Sequence, residues 1–144
     1  MAKTFRELVV WQLAMDLTEQ VYRATATFPA DERFGLTSQM RRAAVSIPSN
    51  IAEGHGRSST SDFRHFLGIA RGSTREIETQ ILIAERLGLI QAVLASSLSE
   101  NTTSLSIKLT HFMSTLEREH REPQRAAEAR SRSASAASRS RTSP

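Results

Sequence analysis

The 144-residue chain has no cysteine, which excludes disulfides, thiolate metal sites and a cysteine nucleophile. Long apolar runs are missing too, since none approaches the roughly 18 residues that a membrane span needs. The apolar run starting at Leu8 is broken by Gln12 and Asp16 and lacks a small-residue cleavage site, so it does not read as a signal peptide. A soluble, cytoplasmic protein with no membrane partner is expected. Aromatic residues make up 6% of the chain, and this scarcity argues against sequence-specific reading of bases.

Groups arranged for catalysis are equally sparse. His55, His65, His111 and His120 share no ligand spacing such as i, i+4 on one helix. Glu76 and Glu78 are two residues apart and diverge on a helix, so they are not a carboxylate pair. Ser46, His55 and Asp62 can be drawn as a triad only because a Ser-rich sequence permits such drawings. The glycines at 54, 56, 68 and 72 match no phosphate-binding loop. No catalytic residue, metal or cofactor is expected, and the chain reads as a non-enzyme.

What is present is organised around Gln39 to Gly54, QMRRAAVSIPSNIAEG. On a helix, Leu36, Met40, Ala44, Ile47 and Ile51 fall on one side and form a core face. A second line holds Gln39, Arg42, Ser46, Asn50 and Glu53, five hydrogen-bonding side chains at spacings of three and four. Facing a helix or subunit seam, this polar stripe would form a network that fixes register or assembly, with Arg42 to Glu53 as one candidate link; facing solvent it is a wet face. The seam is the preferred reading. Pro48 costs about 3 kcal/mol in a helix interior by removing a donor and crowding the preceding turn. A kink at Pro48 is preferred over a break at Ile47, because the apolar spacing continues in register to Ile51; Ser46, Ser49 or Asn50 are candidates to satisfy the freed carbonyl.

Three further helices flank it. The first is expected over about 4–27, with Val10, Leu13, Leu17, Val21, Ala24 and Phe28 as its main stripe. Leu8, Trp11, Met15 and Tyr22 form a second apolar stripe, which packs on another subunit or caps the edge of the core. After the central helix (36–55), Ser59 and Asp62 have capping-box spacing and open a third helix over 61–87. Its core face is Phe63, Phe66, Leu67, Ala70, Ile77, Ile81 and Ala84; Gly68 and Gly72, one turn apart, mark a tight contact or a loose solvated turn. A fourth helix over 91–120 carries Leu94, Leu98, Leu105, Leu109, Phe112 and Leu116. Short connections favour an all-α, antiparallel, up-and-down four-helix bundle over 1–122. Pro123 is expected to end the ordered part, leaving 123–144 as a disordered Ser/Ala/Arg-rich basic tail.

The charge is unevenly spread. The tail holds five arginines and one glutamate, which accounts for the whole net charge of +4. Within the neutral remainder, residues 33–75 carry seven arginines against Glu53 and Asp62, a basic middle suited to an anionic partner. Arginine suits bidentate phosphate contacts, and Arg41, Arg57, Arg64, Arg71 and Arg75 are the candidate nucleic-acid-binding residues, with binding multiplied in a multimer.

The segments VVWQLAMDL, FPADERFGLTSQMRRAAVSIPSNIAEG, FRHFLGIARGSTREIETQ and IAERLGLI closely resemble the 23S rRNA intervening-sequence proteins, a four-helix-bundle family. The resemblance covers about residues 5–118. Relatives include accessory variability proteins of diversity-generating retroelements, homopentamers that bind nucleic acid and a reverse transcriptase. The resemblance implies a bacterial homo-oligomer and no enzymatic activity; the second apolar stripe and the glycine pair, Leu8, Trp11, Met15, Tyr22, Gly68 and Gly72, are the candidate interface residues. Two features depart from the family pattern: Leu13, where many relatives have lysine, and the Ser/Ala/Arg tail. The expected function is a non-enzymatic, pentameric bundle that binds RNA or DNA through phosphate contacts, as an adaptor for an enzyme such as a reverse transcriptase. The alternative is a scaffold for an acidic partner protein without nucleic acid.

Overall fold

The computed structural model describes residues 2–141, all helix, turn or connection with no strand among them. Four helices succeed one another along the chain: α1 Val9–Thr25, α2 Leu36–His55, α3 Thr60–Arg86 and α4 Ala92–Ser140. Each helix packs on the next and α1 closes against α4. Cross-contacts run in opposing register: Ser73 faces Ser46, Arg64 reaches Glu117 while Glu78 meets Thr103, and His55 at the end of α2 reaches Ala2. This is the expected antiparallel up-and-down bundle.

The core has the expected periodicity. Leu17, Val21, Met40, Ile47, Ile51, Leu67, Ile77, Ile81, Leu98, Leu105, Leu109 and Leu116 are fully buried, each contributing on the order of 2 kcal/mol through lost apolar contact with water. Leu94, expected at a core position of α4, is instead exposed. The α3 start is capped as expected, Ser59 Oγ accepting from Asp62 N at 3.0 Å.

Two boundaries differ from expectation. α1 starts at Val9, because Leu8 takes an extended conformation (φ −72°, ψ 124°) that puts its side chain in the core. Phe5–Glu7 forms a separate 3-10 turn, tied to α1 by Gln12 Nε2 donating to Arg6 O at 2.9 Å. At the other end, α4 does not stop at Pro123 but runs through it to Ser140. The carbonyl deprived of a donor there, Glu119 O, belongs to an exposed residue and can turn to water. The segment expected to lack order is thus helical over its described part, although every residue from Arg118 to Arg141 is exposed; residues 142–144 lie outside the described residues.

α2 passes through Pro48 without interruption. Its missing N–H leaves Ala44 O without the usual helical partner, and the replacement comes from α1. Thr18 Oγ1 lies 3.1 Å from Ala44 O and 2.8 Å from Ala14 O, so one hydroxyl proton is shared between two helices. The candidates on α2 itself do something else, Asn50 Nδ2 donating to Ser46 O at 2.7 Å.

The close approach of backbones sits at Gly54, not at Gly68 or Gly72. A Cβ on Gly54 would lie 2.8 Å from Phe66 Cβ and 3.3 Å from Phe63 O, whereas one on Gly72 would meet nothing within 4 Å and one on Gly68 would make ordinary contact with Met113.

Candidate nucleic-acid interface

The five expected arginines do not share one surface. Arg64, Arg71 and Arg75 lie along one line of α3, beside α4. Arg64 donates to Met113 O and pairs with Glu117, both at 3.2 Å, and Arg71 Nη1 donates to Thr110 Oγ1 at 3.3 Å. Arg75 is exposed and forms no ion pair among the described residues. Arg57 pairs with Glu53 at 2.7 Å and lies over the Phe66 ring. The charge of Arg57 is therefore already matched within the chain, whereas Glu117 is shared between Arg64 and Arg121, the latter at 2.7 Å.

Arg41 points the other way, toward α1. Its Nε donates to Thr25 Oγ1 at 2.9 Å and its Nη2 to Tyr22 O at 3.3 Å, and its guanidinium carbon stands 4.5 Å from the Tyr22 ring centroid. This seats a cation on the last turn of α1, where the carbonyl ends of the helix favour it. The clamp forms one wall of an open groove of about 660 Å³ lined by Tyr22, Arg33, Phe34, Thr37, Arg41, Arg42 and neighbouring residues. Three arginines and two aromatic rings line it, and no carboxylate does. Glu32, close in sequence, is committed elsewhere: its Oε2 accepts from Leu36 N at 3.0 Å and caps α2.

Phe34 and Thr37 are not among the expected site residues; Arg33 and Arg42 are expected as members of the basic middle, Arg42 also in the polar stripe, and Tyr22 at a subunit interface. Phe34 is 89% exposed. The sequence does carry a signal for it: a phenylalanine inside the polar connection FPADERFG, next to a glycine, has no helical face to join.

The polar stripe only borders the α2–α3 seam: Ser46 and Asn50 are half-buried, while Gln39, Arg42 and Glu53 are exposed, so most of it is a wet face. Ser46 Oγ is its centre, accepting from Asn50 Nδ2 and from Ser73 Oγ, each at 3.0 Å. Gln39, Arg42 and Ser46 line a groove of about 300 Å³ with Ser73, Glu76 and Gln80, and Gln80 Oε1 is buried there without a hydrogen-bond partner among the described residues. The Arg42–Glu53 link does not form: the two lie about 16 Å apart along α2 at 1.5 Å per residue, and Glu53 pairs with Arg57 one turn along.

Of the interface candidates, Leu8 is buried in the core and Trp11 is half-buried edge-on to Phe5, at 5.2 Å between ring centroids. Met15 and Tyr22 remain exposed. No cluster of three or more potential metal ligands occurs among the described residues, and none of their helices is long and apolar enough to cross a membrane.

The model of the family described as 23S rRNA-intervening sequence protein matches residues 6–111. No curated protein matches the chain. Among solved structures, a protein of unknown function from the S23 ribosomal protein family of Bacteroides thetaiotaomicron VPI-5482 is similar, with a TM-score of 0.66 and 22% identity over 73% of this chain and 98% of that one. Likeness at that identity concerns the fold.

Proposed function

The chain belongs to the 23S rRNA-intervening sequence protein family, and from that premise we infer that it is a non-enzymatic, self-associating bundle that binds RNA or DNA through phosphate contacts. The observation that carries this reading is the α1–α2 groove, where Arg33, Arg41 and Arg42 converge with no carboxylate among the lining residues. Guanidinium groups bind phosphate oxygens bidentately and without regard to base, and a self-associated ring, pentameric as in the retroelement relatives, would repeat the groove around one axis and gain affinity by multivalency. In this reading the protein works in the cytoplasm as an adaptor, holding nucleic acid for an enzyme such as a reverse transcriptase.

The test is fluorescence anisotropy with nuclease-treated protein and labelled RNA and DNA across a salt series. Three phosphates per protomer give log K falling against log salt with a slope of about −2 on single strands and about −3 on duplexes. Arg33→Ala and Arg42→Ala weaken binding severalfold to all sequences alike, Arg64→Ala and Arg75→Ala less, and Arg57→Ala least, since Glu53 already matches that charge. Failure of the wild-type protein to bind either nucleic acid at low salt overturns the reading and leaves a scaffold for an acidic partner protein.

A further inference from the structure

We propose that the α1–α2 groove takes single-stranded nucleic acid in preference to duplex, with Phe34 stacking against an unpaired base while Arg33, Arg41 and Arg42 hold the flanking phosphates. This rests on the phosphate-binding reading and adds the strand state of the ligand and the residue that selects it.

Phe34 is the most exposed large apolar residue among the described residues, at 89%. Its backbone is held firmly all the same. Glu32 N donates to Pro29 O at 3.0 Å, Arg33 N to Ala30 O and Gly35 N to Glu32 O, both at 3.1 Å. Gly35 keeps this turn and the Glu32 cap compatible, for a Cβ there would lie 2.9 Å from Glu32 Oε2. The ring is thus presented on a fixed turn, not on a loose loop, and the fold gains no burial from it. A phenyl face offered to solvent, with the Arg33 guanidinium carbon 5.4 Å from its centroid, is chemically a stacking surface beside a cation.

The rest of the groove complements it. Tyr22 is already covered by Arg41, whose guanidinium, fixed over that ring through Nε and Nη2, supplies a second flat cationic surface on which a base can lie. Thr37 and Ser38 in the lining offer hydroxyls for hydrogen bonds to ribose or phosphate. Charge decides the occupant: three cations and no lining anion select a polyanion. The aromatic ring decides its form. A duplex presents phosphates at the groove but keeps its bases stacked on one another, so Phe34 would gain nothing from it, whereas an unpaired base has a free face.

Anisotropy titrations of full-length, nuclease-treated protein with a labelled single-stranded 12-mer RNA and a duplex of the same length test the proposal, with thermal melts to confirm folding. Phe34→Ala and Phe34→Leu are expected to weaken single-strand binding roughly tenfold and leave duplex binding unchanged, and Phe34→Trp to restore single-strand binding. Phe34→Leu behaving as wild type, or wild type binding both ligands equally, overturns the single-strand assignment alone. Loss of oligomer mass in Phe34→Ala overturns it too, since the ring is then a contact between copies. Absence of binding to either ligand is instead the failure of the phosphate-binding reading beneath it.

Discussion

Thr18 holds two helices with one proton. Its hydroxyl sits between Ala14 O on α1 and Ala44 O on α2, the latter being the carbonyl that Pro48 deprives of a donor. Thr18→Val keeps the shape and removes the donor, leaving Ala44 O unpaired beside a packed seam; a loss of about 1–2 kcal/mol in urea unfolding is expected, and Thr18→Ser should recover most of it. The sequence announces the missing donor at Pro48 but not its replacement, because a substitute on another helix has no fixed spacing from the proline. Glycine teaches the same lesson. Gly68 and Gly72 stand one turn apart and invite a close contact, yet the tight approach is at Gly54, which has no glycine one turn away. Gly54→Ala should destabilise by about 1–3 kcal/mol through overpacking against Phe66 and Phe63. Gly72→Ala, with open space for its methyl group, should stabilise by up to about 1 kcal/mol on propensity, readable in the same urea titrations; a drop in oligomer mass on that substitution would place Gly72 in a contact between copies.

At the scale of elements, α2 is legible in the sequence to the residue and α3 to within one, because a 3.6-residue apolar period runs through both and Ser59 marks the start of α3. α1 reads too long at its start: periodicity cannot show that Leu8 reaches the core from an extended conformation instead of a helical one. α4 reads too short, since Pro123 looks like a stop although an exposed helix can leave the orphaned carbonyl to water. The last buried residue of α4 is Leu116, so the remainder of this helix is held by propensity and local bonds such as that between Gln124 and His120. Truncation after Glu122 should therefore leave the thermal midpoint of the bundle unchanged in calorimetry.

At the scale of the whole molecule, the excess of arginine between residues 33 and 75 is legible as composition but not as a surface. Which side each guanidinium serves depends on helix rotation about neighbours: Arg41 turns to α1, while Arg64 and Arg71 turn to α4. One basic middle becomes two separate faces, and internal carboxylates neutralise part of one. The aromatic half of the groove is only partly legible in the sequence for a related reason: Phe34 stands out in its polar connection, but it comes to line one groove with Tyr22 only when α1 and α2 fold against each other. The 49-residue α4 also has a hydrodynamic consequence. Roughly 35 Å of bare rod beyond Leu116, at 1.5 Å per residue, adds drag without adding much mass, so each protomer will elute early from gel filtration. Subunit number must accordingly be taken from light scattering or native mass spectrometry, where shape does not masquerade as stoichiometry.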